Sequence, residues 1–215
     1  MHVLMNTGGI AVTNSFLIAD ESTGNAVIFD APNDTVAPLL KAARERGWDV
    51  VGLWLTHGHF DHIADHALVT REFPDANVII HKLDEPKLIE PGSRMFELPF
   101  EIPPRSADGF VEEGQALSIG TIDVRAMHTP GHSPGHVAFY FPAEDVLVGG
   151  DLIIGGSIGR TDLPGADPKQ MAHSLRRVMR LPDNTRLLPG HGTPSTLGEE
   201  RAENVYLREM IGEKE

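Results

Sequence analysis

Four times along this chain an apolar run ends in a tight turn or a glycine and is followed by histidine or aspartate. "VVGLWLTHGHFDH" delivers His57, His59, Asp61 and His62, "VRAMHTPGH" delivers His132, "VLVGGD" delivers Asp151, and "RLLPGH" delivers His191. Short apolar runs bounded by turn residues read as buried strands. In α/β sheets the carboxyl ends of strands are where ligands gather. The pattern therefore asks for a fold that brings four strand ends, with five histidines and two aspartates, to one site.

Crowding three histidines onto one turn wins nothing for packing, so a chemical reason is needed. Imidazole and carboxylate together suit zinc, and also iron or manganese. Seven donors are too many for one tetrahedral ion, but they suit two divalent ions if one carboxylate bridges. His57, His59 and His132 are assigned to the first ion, and Asp61, His62 and His191 to the second. Asp151, alone on its turn, is the natural bridge. Asp61 and Asp151 are the carboxylates expected to serve catalysis. His2, His66, His81, His128, His136 and His173 fall outside the pattern and read as surface, packing or supporting residues. The glycines of "PGH" and "GGD" are expected at positive φ, where sharp turns aim the donors.

Composition narrows the partners. The 215 residues carry a net charge of −13 and show no long basic stripe, which argues against nucleic acid. There is no cysteine, which excludes disulfides, thiolate metal sites and cysteine nucleophiles. No apolar run approaches the ~20 residues of a membrane span. "MHVLMNTGGIAV" lacks the basic start and apolar core of a signal peptide. The expectation is a cytoplasmic protein with a small-molecule substrate and no membrane partner.

Along the chain, "NSFLIAD" and "NAVIFD" read as a hairpin around "ESTG". Val36, Leu39, Leu40 and Ala43 mark one face of a helix, with Asn33 or Asp34 as its cap and Gly47 as its end. "DVVGLWL" is a buried strand, residues 60–73 a helix, and "NVIIH" the next strand. From Glu90 to Gly109 the chain is proline-rich and aperiodic, which suggests a loop at the mouth of the site. Phe96, Phe100 and Phe110 are its candidate apolar contacts. "QALSIGTIDVRAMH", "HVAFYF" and "DVLVGG" restore the strand pattern. "DPKQMAHSLRRVMR" is a helix capped by Asp167 and buried through Met171, Leu175 and Val178. "RLLPG" is a last strand, and a charged helix follows from about Gly198. With no linker visible, residues 1–215 read as a single α/β domain, sheets in the middle and helices outside.

These motifs carry a family resemblance. "THGHFDH", "TPGHSPGH", "GGD" and "PGHG", in that order, resemble the metallo-β-lactamase fold superfamily. Within it, "GGSIGRTDLPGAD" and "PGHGTPSTLGEER" look like a short form of the hydroxyacylglutathione hydrolase, or glyoxalase II, branch. The resemblance implies an αββα four-layer sandwich with a dinuclear site at one edge of its two sheets, held by the same seven residues. Longer members add a helical C-terminal domain that helps hold glutathione, and no counterpart is expected here. They also carry a basic residue where Arg160 stands, which makes Arg160 the candidate contact for a substrate carboxylate, through its planar fork. The alternative for Arg160 is a surface ion pair with Asp162 or Asp167. Asp162 replaces a tyrosine of the longer members and would repel a glutathione carboxylate. Asp65 and His66 follow the ligand turn where glycines are usual.

The expected reaction is hydrolysis of a thioester. Two ions about 3.5–4 Å apart hold a shared hydroxide at neutral pH, the nucleophile for the acyl carbon. A thiol of pKa ~8.5 leaves as thiolate with little help, whereas an amine needs a placed acid. Three alternatives remain. "GRTD" also resembles persulfide dioxygenases, which would load one iron on His57, His132 and Asp151. A lactonase or generalist esterase uses the same fold. A non-enzymatic metal-binding protein is the third class.

Overall fold

In the computed structural model, residues 1–93, 95 and 97–212 are described. The first half of the chain builds one six-stranded sheet in the order β1-β2-β3-β4-β5-β6. Its strands are β1 (His2–Gly8), β2 (Thr13–Ala19), β3 (Asn25–Phe29), β4 (Asp49–Trp54), β5 (Asn77–Ile80) and β6 (Gly109–Phe110). The first three pair antiparallel, and β3 through β6 run parallel. Parallel neighbours need crossovers. Helix α1 (Ala37–Arg46) supplies the first, and α2 (Phe60–Ile63) with α3 (His66–Glu72) the second. Helix α4 (Glu85–Ile89) follows β5.

The second half builds a second six-stranded sheet. Its strands are β7 (Ala116–Ile119), β8 (Ile122–His128), β9 (Val137–Phe141) and β10 (Val146–Gly150), joined later by β13 (Arg186–Pro189) and β14 (Ser195–Thr196). The spatial order is β14-β13-β10-β9-β8-β7, with β10 and β13 parallel. Between β10 and β13 lie a small hairpin, β11 (Ile153–Ile154) and β12 (Ser157–Ile158), and helix α5 (Pro168–Val178). Helices α6 (Leu197–Glu203) and α7 (Val205–Gly212) come last.

Three cores separate four layers. On β2, Phe16 and Ile18 face the second sheet, while Leu17 and Ala19 face the helices of the first. Phe139 and Phe141 of β9 meet Phe29 of β3 edge-on between the sheets, at centroid distances of 5.3 and 6.0 Å. Leu39, Leu40 and Val69 cover the outer face of the first sheet. Met171, Leu175, Val178 and Leu207 cover the second. Strands buried on both faces read as continuous apolar runs, which is why β2 and β10 show no polar alternation. This is the αββα sandwich.

Local expectations fail in three instructive places. Helix α1 starts at Ala37 with Pro38 in its first turn, and neither Asn33 nor Asp34 caps it. Asn33 instead accepts a hydrogen bond from Ile10 N, tying the β1–β2 turn to the end of β3. The helix expected over 60–73 is broken, because Ala31 beyond β3 intrudes on its ladder. Ala31 N donates to His62 O at 2.7 Å, and Asp65 N donates to Ala31 O at 2.8 Å. The final helix divides at Asn204, whose Oδ1 accepts from Leu207 N and whose Nδ2 donates to Ser157 O. Gly47 does end α1 in the left-handed region, and Asp167 does cap α5, accepting from Lys169 N and Gln170 N.

Candidate metal centre

The site begins with Asp30, directly after β3. It is 3% exposed, and its carboxylate accepts from Thr56 N at 2.7 Å, Thr56 Oγ1 at 2.8 Å and His62 Nδ1 at 2.8 Å. This fastens the turn after β4 to the end of β3 and orients His62. Thr56 Oγ1, having donated its proton to Asp30, accepts from His57 Nδ1 at 3.0 Å. On the second sheet, His132 Nδ1 donates to Arg160 O at 2.9 Å. A carbonyl only accepts, so the tautomer is set.

These bonds leave the other ring nitrogens pointing inward. His57 Nε2 lies 3.0 Å from His59 Nδ1, which lies 2.8 Å from His132 Nε2. The protons of His57 and His132 are already committed on their far sides, so lone pairs face one another. Burial holds all three rings below the ordinary imidazole range, His59 to about 3, so they are neutral. Neutral imidazole is the ligating form.

A second group adjoins the first. Asp61, His62 and His191 present donor atoms within 4.8 Å of one another, as do His57, His62 and Asp151. His62 Nε2 and Asp151 Oδ1 are buried without a hydrogen-bond partner. Such orphans cost free energy unless something satisfies them. Asp151 reaches both groups, with Oδ1 3.4 Å from His62 Nε2 and Oδ2 3.4 Å from both His132 Nε2 and His191 Nε2. Burial opposes charge on His62, but Asp151, Asp30 and Asp61 outweigh it and hold its pKa well above normal. His191 is likewise raised to about 10, by Asp151 and Asp61 against burial. Thr13 Oγ1 donates to Asp61 at 3.0 Å.

The structure thus brings all seven residues singled out in the sequence to one floor between the sheets. The lone-pair geometry and the orphaned atoms fit metal ions held by this donor set.

Three supporting residues were not singled out, and a fourth, His136, reads only as surface, packing or support. Asp84 is fully buried, and its carboxylate accepts from Gly58 N, Ser133 Oγ, Gly135 N and Lys87 Nζ at 2.7–3.1 Å. It joins the turn that carries His57 and His59 to the one that carries His132. Asn14, at the start of β2, donates its amide to Pro189 O and Gly192 O on either side of His191. His136, fully buried, accepts from Asp151 N at 3.0 Å. The last is Asp30. It stands behind the apolar run of β3, as the other donors stand behind theirs, so the same rule would have found it. Asp84 offers no such signal.

The glycines divide between two reasons. Gly131 and Gly150 take positive φ, as expected. Gly135, Gly149 and Gly190 do not; at Gly190 a Cβ would collide with Asp151 Oδ1.

A cavity of about 770 Å³ opens above the donors. Arg160 lines it, but its guanidinium already holds Asp162 in a two-point pair at 2.8 Å. The first part of the loop after α4, including Glu90, Pro91 and Gly92, borders the mouth as expected. Phe100 packs instead against the outer core of the first sheet, and Phe110 is not among the lining residues. Phe96 lies outside the described residues. Among the described residues, no helix is long and apolar enough to cross a membrane.

Residues 8–191 match the metallo-beta-lactamase superfamily. The hydroxyacylglutathione hydrolase GloC of Haemophilus influenzae is 32% identical over 94% of this chain and 98% of its own. The BLEG-1 B3 metallo-beta-lactamase superimposes with a TM-score of 0.88 at 33% identity, over 96% of this chain and 99% of that one. TTHA1623, crystallised in a di-iron-bound form, gives 0.83 at 38% identity, over 94% and 99%. The chain belongs to the metallo-beta-lactamase superfamily.

Proposed function

We propose that this chain is a hydrolase that holds two divalent metal ions and cleaves a thioester. The carrying observation is the inward-facing lone pairs of His57 and His132, with His59 Nδ1 between them, beside the orphaned His62 Nε2 and Asp151 Oδ1. His57, His59 and His132 would hold one ion and Asp61, His62 and His191 the other, with Asp151 shared. Zinc, iron and manganese all suit these donors. When bound, such a pair supplies Lewis acidity and a water acidic enough to ionise near neutral pH. The chain's own part is positioning. Asp30 and Thr56 fix the tautomers of His62 and His57, the Arg160 carbonyl fixes that of His132, and Thr13 steadies Asp61. The scissile carbonyl would approach these donors from the 770 Å³ cavity.

A thioester fits because its thiol leaves as thiolate without a placed acid. The likeness to a hydroxyacylglutathione hydrolase supports the same class.

The test is elemental analysis of purified protein together with a panel of thioesters, a lactone and a β-lactam. Two ions per chain and preferred thioester turnover, abolished by chelation and restored by added zinc, iron or manganese, is the expected result. Turnover that survives in protein shown to be metal-free would refute the reading. A single iron on His57, His132 and Asp151, with oxygen consumed, would replace it with an oxygenase.

A further inference from the structure

The walls of the cavity differ in chemistry from its floor. Leu83 and Pro86 line it from the segment after β5, and Ile154, Leu163 and Pro164 from the segment after β10. Leu83 is 56% exposed, although it is a leucine at an opening rather than on a random stretch of surface. Ala11 also lines the cavity, and its neighbours Ile10 and Val12 are exposed in turn. A single exposed apolar side chain needs no explanation, but a group gathered around one opening marks a binding surface.

The charges point the same way. Among the described lining residues outside the seven metal donors, Lys87 and Arg160 are the cations. Lys87 Nζ is held by Asp84 at 3.1 Å, and Arg160 by Asp162 at 2.8 Å. Glu90 adds a negative group to the wall. A substrate carboxylate would have to displace an internal partner from either cation. An apolar group meets no such competitor.

We propose that this cavity selects thioesters bearing an extended apolar group, in preference to those on a carrier with free carboxylates such as glutathione. The proposal rests on the thioester reading for its reaction but stands on the cavity walls for its binding. Each methylene fully removed from water tightens binding about fourfold, and roughly twofold when half buried.

The test uses uncleavable analogues on the metal-loaded protein. Binding of S-ethyl, S-butyl and S-hexyl N-acetylcysteamine thioethers is measured by calorimetry, beside S-hexylglutathione. Kd should fall by about tenfold or more from ethyl to hexyl, since four methylenes are added. S-hexylglutathione should bind no tighter than its neutral counterpart. Leu83→Ser, a change at an exposed position, should flatten the series. A Kd independent of chain length would overturn the proposal, as would S-hexylglutathione binding tenfold tighter or a full slope surviving in Leu83→Ser. These thioethers are not cleaved, so the series reads binding alone. Failure of the protein to turn over any thioester would sink the proposed reaction and leave this result standing.

Discussion

The two sheets furnish the metal centre in opposite ways. The first contributes four donors from one turn, residues 57–62, just beyond β4. The second contributes three, His132, Asp151 and His191, each beyond a different strand. On the first sheet two buried carboxylates brace the turn, Asp30 through Thr56 and His62 and Asp84 through Gly58 N. On the second, no one side chain among the described residues governs the donors. Asp151 is held through its backbone by His136, and His132 by the Arg160 carbonyl. The His191 turn is held from across the sheets, by Asn14. Donors close in sequence are placed by a local turn, whereas dispersed donors are placed by the packing of the sandwich. Damage to the two halves should therefore differ in kind.

Asp151→Ala should do the most harm, because this carboxylate reaches both donor groups. Activity should fall by about 10²–10³-fold, in the range seen when a preorganised electrostatic group is removed. Both ions should be depleted by elemental analysis. Two ions retained in this variant would contradict a shared role.

The braces should separate the two groups. Asp30→Asn should weaken metal most at the His62 group, which it touches directly, and less at His57, which it reaches through Thr56, whereas Asp84→Asn should weaken it at His57, His59 and His132. Loss of a partner that orients a ligand typically costs about 10–100-fold in metal affinity or activity. Stepwise chelator competition measures the two ions separately. If both variants lost the same ion, the two braces would not divide as the geometry divides them.

Gly190→Ala probes the dispersed half through packing. Its Cβ would meet Asp151 Oδ1 and the His62 ring, so neighbours must shift. Overpacking of this kind costs roughly 1–3 kcal/mol. Thermal unfolding should reveal it as a drop of several degrees, at about 2–4 °C per kcal/mol for a chain of this size. Unchanged stability would mean that the second sheet yields at this edge.

The smallest effect is expected away from the edge. Thr196 caps α6 in a reciprocal capping box with Glu199. Thr196→Ala should cost about 1 kcal/mol, or some 2–4 °C in Tm, with metal content and turnover unchanged. A loss of metal in this variant would show that the outer helices steer the floor.

Much of this arrangement was legible in the amino-acid order. Strands buried on both faces need continuous apolar runs, and β2, β4, β9 and β10 carry them. Asp167 and Gly47 mark helix ends because capping depends on a few neighbouring residues. The seven donors stood out because each follows a strand, a local relation. Tertiary structure decided the rest. The helix over 60–73 breaks because Ala31, remote in sequence, takes two of its backbone bonds. Asn33 forgoes capping α1 because the β1–β2 turn needs its oxygen. Gly190 is glycine because Asp151 lies against it, and no local rule records that distance. Nothing in the sequence sets Asp84 apart from the other acidic residues of a chain with net charge −13. Its four partners come from three separate stretches that meet only when the sheets close, and burial leaves that carboxylate no other way to be satisfied.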